Sequence, residues 1–195
     1  MALYLVTAPA AEPISTAEAK LHLRVDVSAD DALIDTLVGA ARQSCESATC
    51  RRFITQTWDL HLHDFPLSNG PIVLPSPPVS SVTSITYTDT NGDATVLSSS
   101  LYTTDLPAGP QARHGMIYPA YQQSWPQVRG IPNAVVVRFV CGYGGTGTSV
   151  PPALLAAMKL RLGHLYLHRE QVVTGVMAVT VPQAADMLEW QMRAH

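Results

Sequence analysis

Apolar positions along this chain follow two periods, and the change from one to the other divides it. From Ser28 to Ala48, SADDALIDTLVGAARQSCESA, the residues Leu33, Ile34, Leu37, Val38, Ala41, Cys45 and Ala48 recur at three- and four-residue steps. That spacing puts them on one stripe of an α-helix, with Asp35, Arg42, Gln43 and Glu46 on the opposite face. Ser28 is placed to cap the helix start, and Asp30 and Asp31 add negative charge at the positive end of its dipole. Just upstream, ISTAEAKLHLRV reads as a first helix, because Ser15 and Glu18 have capping-box spacing. The short link VDVSADD would join the two as a helical hairpin. Before them, Leu3 to Ala8 read as an extended lead-in ahead of Pro9 and Pro13.

After Arg51 and Arg52 the period becomes two. In ITQTWDLHLHDF, Trp58, Leu60 and Leu62 point one way while Thr57, Asp59, His61 and His63 point the other, as in a half-buried strand. PIVLP follows between prolines, and VSSVTSITYTDTNGDATVL places β-rich flanks around Asn91-Gly92, the dipeptide suited to a tight hairpin turn. LYTTDL and HGMIYP read as further short strands. AVVVRFVCGYG is the most apolar of the set and is expected at the centre of the sheet. GGTGTSVPP breaks the β pattern and supplies prolines for a helix's first turn. In ALLAAMKLRLGHLYLHRE, Leu155, Met158, Leu162, Leu165 and Tyr166 form a second wide apolar stripe, expected to cover the first. A Val/Thr-rich loop from Val172 to Val181 leads to PQAADMLEWQMRAH, a short last helix.

The expected fold is therefore α+β: a helical bundle from the N- and C-terminal helices, with a mostly antiparallel β subdomain inserted between them. The boundaries fall at 1–52 for the N-terminal helical hairpin, 53–149 for the inserted β subdomain, and 150–195 for the C-terminal helices. The helical core is expected from Leu33, Leu37, Val38, Ala41, Leu155, Met158, Leu162 and Leu165.

Composition narrows what such a chain can do. Of the 195 residues, 47% are apolar and only 14% charged, against a usual charged share of about 25%. So sparse a charge suits a subunit whose surface is covered by neighbouring copies, or a well-packed monomer with a Ser/Thr-rich surface. A net charge of -3 without a Lys/Arg cluster argues against a basic nucleic-acid-binding face. The opening residues lack the charged start of a signal peptide, no apolar run approaches the ~20 residues that span a bilayer, and three cysteines form neither a disulfide framework nor a zinc site. A chain made and kept in the cytoplasm, without a membrane partner, is expected.

The chemistry-bearing residues give little. His164 and His168 stand one helical turn apart, but Leu165 occupies the place of a metallohydrolase glutamate and no third ligand follows. His61 and His63 share a strand face with Asp59, as any solvent-facing row would. Cys45 and Cys50 do not line up on a helix. CGYGGTG lacks the Lys-Ser/Thr ending of a phosphate loop, and there is no GxSxG nucleophile. No catalytic residue, metal or cofactor is expected, although a metal-dependent hydrolase using these histidines is the alternative from another class.

Taken in order, several phrases resemble those of the head–tail connector (adaptor) proteins of tailed bacteriophages and phage-derived gene transfer agents. They are ISTAEAKLHLRVD, DDALIDTLVGAAR, RRFITQTWDL, LPSPPVSSVTSITYTD, VVVRFVCGYG and PPALLAAMKLRLGHLYLHRE with its HLYLHRE end. The resemblance runs over residues 14–193. It implies a structural virion protein, made in the bacterial host and placed in the neck of the particle. Such proteins form a ring, usually of twelve copies, beneath the portal protein, join it to a stopper or tail-terminator protein, and line the channel through which DNA passes without sequence-specific binding. The resemblance further implies that Pro182 to His195 engages the portal, with Met187, Leu188, Trp190 and Met192 as contact residues. A chain ending at Val181 would then stay soluble and lose attachment. The small all-helical members lack the long β insert found here. A stopper or tail-completion role is the alternative within the neck.

Overall fold

The computed structural model describes residues 1–168 and 183–194. The loop expected at Val172–Val181, the end of HLYLHRE at Arg169 and Glu170, Pro182 and the terminal His195 lie outside the described residues. Among the described residues there are four α-helices: α1 (Thr16–Leu23), α2 (Asp31–Thr49), α3 (Pro152–Leu167) and α4 (Gln183–Met192). Eight strands accompany them: β1 (Ala2–Thr7), β2 (Gln56–Leu62), β3 (Ile72–Leu74), β4 (Val79–Thr88), β5 (Ala94–Val96), β6 (Tyr102–Asp105), β7 (Gly115–Pro119) and β8 (Val135–Cys141). All ladders are antiparallel, in a five-stranded sheet ordered β1-β2-β8-β4-β5 and a three-stranded sheet ordered β3-β7-β6. This is the α+β architecture that the two hydrophobic periods predict.

The capping box forms. The Glu18 N–H donates to Ser15 Oγ at 3.2 Å and the Ser15 N–H donates to Glu18 Oε2 at 2.9 Å. Ser28, by contrast, does not cap α2. The N-cap is Asp30, without a side-chain cap bond, because its carboxylate instead accepts the Tyr166 hydroxyl of α3 at 2.6 Å. Asp31 accepts from Lys20 of α1 at 2.7 Å. These contacts pin the start of α2 to both of its neighbours.

Two cores meet at the middle of the chain. The helical one is built on Ile34, Val38, Ala41 and Cys45 of α2 against Leu154, Met158 and Leu162 of α3, with Leu37, Leu155, Leu165 and Tyr166 packed partly buried at its edge. The stripe of α3 thus covers that of α2, while Leu33 sits half-buried beside it. The second core lies under the sheets, where Leu60, Ile85, Val135, Val137, Phe139 and Cys141 meet Ile72, Leu74 and Ile117. Strand β8 is central, as its composition predicts, and its Val136, Arg138 and Val140 face outward. There Arg138 grips Asp59 through two 2.8 Å bonds.

Three further sequence expectations change. The lead-in at Leu3–Ala8 is a true strand, pairing with β2, so the sheet recruits residues from before the first helix. The hairpin at Asn91-Gly92 is not a two-residue mirror-image turn, because only Gly92 takes positive φ, at 101°. The Asp89 carboxylate accepts the N–H groups of Asn91, Gly92 and Asp93 and closes a longer loop. Most consequentially, Arg42 and Glu46 are buried although the helical pattern puts them on the polar face. Arg42 donates to Glu12 at 2.7 and 3.2 Å and to Glu46 at 3.1 Å. Glu46 also accepts the Phe53 N–H at 2.9 Å and the Gln56 amide at 3.2 Å. The chain entering β2 folds back over this side of α2, so the helix is covered on two sides.

The glycine-rich stretch after β8 is where sheet and helices join. The Tyr143 N–H donates to Phe53 O at 3.0 Å and the Thr55 N–H to Gly144 O at 2.9 Å. Gly142 has φ of 123°, and a Cβ there would lie 2.6 Å from the Ile54 backbone. Gly142→Ala combines a disfavoured backbone region with a backbone clash, so it should cost about 2–4 kcal/mol. Thermal unfolding of the purified variant measures this, and an unchanged midpoint would contradict the close approach.

Candidate functional site

The last helix, QAADMLEWQM, has an inner and an outer face. Ala185, Glu189 and Met192, at steps of four and three, are buried against α2 and α3, with Leu188 half-buried beside them. Met187 and Trp190 are 65% and 71% exposed. The four residues expected to contact a partner are therefore not equivalent. Met192 belongs to the helical core, and Met187 and Trp190 are the large apolar side chains that a second molecule can reach.

The inner face is held by a buried polar clamp. Glu189, 3% exposed, receives both arms of Arg161 from α3, at 2.5 and 2.6 Å, and Asp186 accepts a third bond from the same guanidinium at 3.1 Å. This fork holds Arg161 firmly in its charged form, raising its pKa chiefly through the bonds to Glu189. The Cys45 thiol lies against Glu189, and burial first, then that carboxylate, push its pKa well above the ordinary thiol range. Burial likewise pushes the Cys141 thiol up to about 12. Neither is a thiolate nucleophile near neutral pH.

Past the helix end, Arg51 donates through Nε to the Met192 carbonyl and through Nη1 to the Ala112 carbonyl at 2.7 Å. The Ala194 N–H donates to Thr49 O at 2.9 Å. Residues from α2, α3 and the loop before β7 thus all fix α4 in place. Removing everything after Val181 would strip these partners from Arg51 and Arg161 and uncover Cys45. Loss of stability, rather than a soluble chain lacking only attachment, is the outcome this packing implies.

The remaining candidate residues form no common cluster among the described residues. The rings of His164 and His168 are neighbours, 4.6 Å between centroids. Asp59 is engaged by Arg138, which holds its carboxyl below the usual range, and the His61 ring meets Tyr4 edge-on. Among the described residues, no three or more His, Cys, Asp or Glu side chains are grouped to hold a metal ion, and no helix is long and apolar enough to cross a membrane. CGYGGTG packs against the backbone of residues 13 and 54–55. Sequence reasoning missed Arg51, Arg161 and Glu189. Arg161 and Glu189 are charges among the apolar residues of α3 and α4, and Arg51 follows the end of α2, but nothing in their spacing pairs residues that lie far apart in the chain.

No known family profile and no curated protein matches the sequence. Solved structures do share its fold over the full length. A chain of "Virion of native gene transfer agent (GTA) particle" is 22% identical with a TM-score of 0.82. Chains of "Neck of empty GTA particle computed with C6 symmetry" and "Neck of native GTA particle computed with C12 symmetry" are 23% and 21% identical, with TM-scores of 0.79 and 0.78. In each case the match covers 100% of this chain and 96% of the other.

Proposed function

We propose that this chain is a structural neck protein of a tailed phage or gene transfer agent: a head–tail connector of the adaptor type. Copies assemble as a ring beneath the portal, with the outer face of α4 turned toward it and a stopper or tail-terminator protein on the far side. The observation that carries this reading is the likeness, from end to end, to chains of gene transfer agent necks and virions. The C6 and C12 symmetry of two of those necks supports a closed ring of copies. The low charge content supports subunits flanked by neighbours. A mildly acidic chain suits a channel along which DNA slides without being held. In this reading the protein has no catalytic task.

Negative-stain electron microscopy of the purified chain mixed with the portal oligomer of the same particle tests it. A ring of added density on the portal's narrow end is expected, and it gives the symmetry directly. Bare portals at high concentration of the chain overturn the adaptor placement and move the protein to a lower neck position. The paired substitution Met187→Ala and Trp190→Ala removes exposed side chains that the fold does not use. It should weaken portal binding at least about 30-fold, the scale of losing an aromatic anchor, with no change in the unfolding midpoint. Binding equal to wild type would remove α4 from the contact.

A further inference from the structure

At the C-terminal end of α4 lies an open groove of about 360 Å³, walled by the 111–113 loop on one side and the helix end on the other. Arg51 lines its floor, Arg113 and Arg193 its rim, and Trp190, Gln111 and Gln191 its walls; no described carboxylate does. Among the described residues the charge there is poorly compensated. Arg51 is buried, and its guanidinium is met by the main-chain carbonyls of Met192 and Ala112. Arg193 is exposed and makes no ion pair among the described residues. Only Arg113 has an acidic partner, Asp105 at 2.7 Å. In a chain of net charge -3, this is a local reversal of sign beside an exposed indole.

We infer that this groove receives an acidic, partly apolar peptide segment of a partner protein. The inference deepens the reading of α4 as a docking face by giving the partner's chemistry. A carboxylate side chain reaching the rim meets the Arg193 guanidinium, which has no ion-pair partner among the described residues, and the positive potential of Arg51 beneath it. An apolar side chain next to it lies on Trp190, and the amides of Gln111 and Gln191 can bond an extended backbone. Nucleic acid fits less well. A phosphate backbone needs cations repeated along its length, whereas the described lining of this groove holds three arginines, of which Arg113 is already paired with Asp105.

The test uses the intact chain on an array of short peptides graded from acidic through neutral to basic, each with and without Leu or Phe. Bound peptides should be enriched in Asp or Glu together with an apolar residue, and their binding should weaken with salt. Arg193→Glu, at an exposed position that the fold does not use, should lower affinity for the best acidic peptide at least about tenfold without moving the unfolding midpoint. Absence of acidic enrichment overturns the inference, as does an Arg193→Glu protein that binds equally well. Displacement of the peptide by a short DNA duplex overturns it in favour of a nucleic-acid site. Acidic-peptide binding without portal attachment would sink only the adaptor placement. Portal attachment insensitive to Arg193→Glu, with no acidic preference on the array, would sink only this groove.

Discussion

Replacing Arg161 with methionine is expected to cost about 3–5 kcal/mol, the range for breaking a buried ion pair from one side. The substitution leaves the Glu189 carboxylate, 3% exposed, beside the Cys45 thiol with neither of its two short guanidinium bonds. A chain of this length should then melt roughly 10 °C lower. The double variant Arg161→Met with Glu189→Leu should recover most of the loss, because no charge remains to be desolvated and leucine adds apolar contact with α2. A double-mutant cycle followed by thermal unfolding measures the coupling. If the double variant is as unstable as the single one, the pair is not what holds α4. Because Met187 and Trp190 ride on this helix, Arg161→Met should also reduce portal binding, whereas the double variant should restore it.

The elements were legible in the sequence wherever local periodicity and burial agree. The stripe Ile34, Val38, Ala41, Cys45 predicted α2 and its cover by α3, the Ser15–Glu18 spacing predicted a cap that forms, and the run Val135 to Cys141 predicted a central strand. What failed did so for a common reason: one element had a second neighbour that no short window reveals. Arg42 and Glu46 satisfy every rule for a solvated helix face, yet the chain entering β2 and Glu12 close over them. Leu3 to Thr7 are too few to announce a strand until β2 offers an edge. Met192 alternates with exposed residues in a short helix, and only the packing of α4 onto α2 and α3 sends it inward while Trp190 stays out. The candidate docking face was legible as a segment and not as a side. Its groove depends on Ala112 and Arg113, far from α4 in the chain, and could not be read from either stretch alone.

The buried Glu46 carries the second large effect, and its pH dependence has a definite sign. Burial raises its pKa above the ordinary value of 4.5, outweighing the Phe53 N–H and the nearby guanidinium groups that favour the charged form. An acid whose folded pKa lies above its unfolded one binds more protons when folded. The stability it contributes is therefore present at low pH and lost as pH rises from about 4.5 through the raised value. Glu46→Gln removes this titration and keeps a carbonyl oxygen for the Phe53 N–H. Wild type should thus lose ground relative to Glu46→Gln as pH is raised from 4 to 7 in parallel denaturant titrations. Wild type gaining ground would mean that the Arg42 pairing outweighs the cost of desolvation. Glu46→Ala is a different matter, because it deletes the acceptor for the Phe53 N–H, the Gln56 amide and Arg42 together. It should cost about 3–5 kcal/mol at neutral pH. The damage falls where the end of α2 hands the chain to β2, so helices and sheets should loosen from each other in the same transition. Hydrogen exchange would register this as lost protection in β2 as well as in α2, and protection lost from α2 alone would argue that Glu46 serves only its own helix.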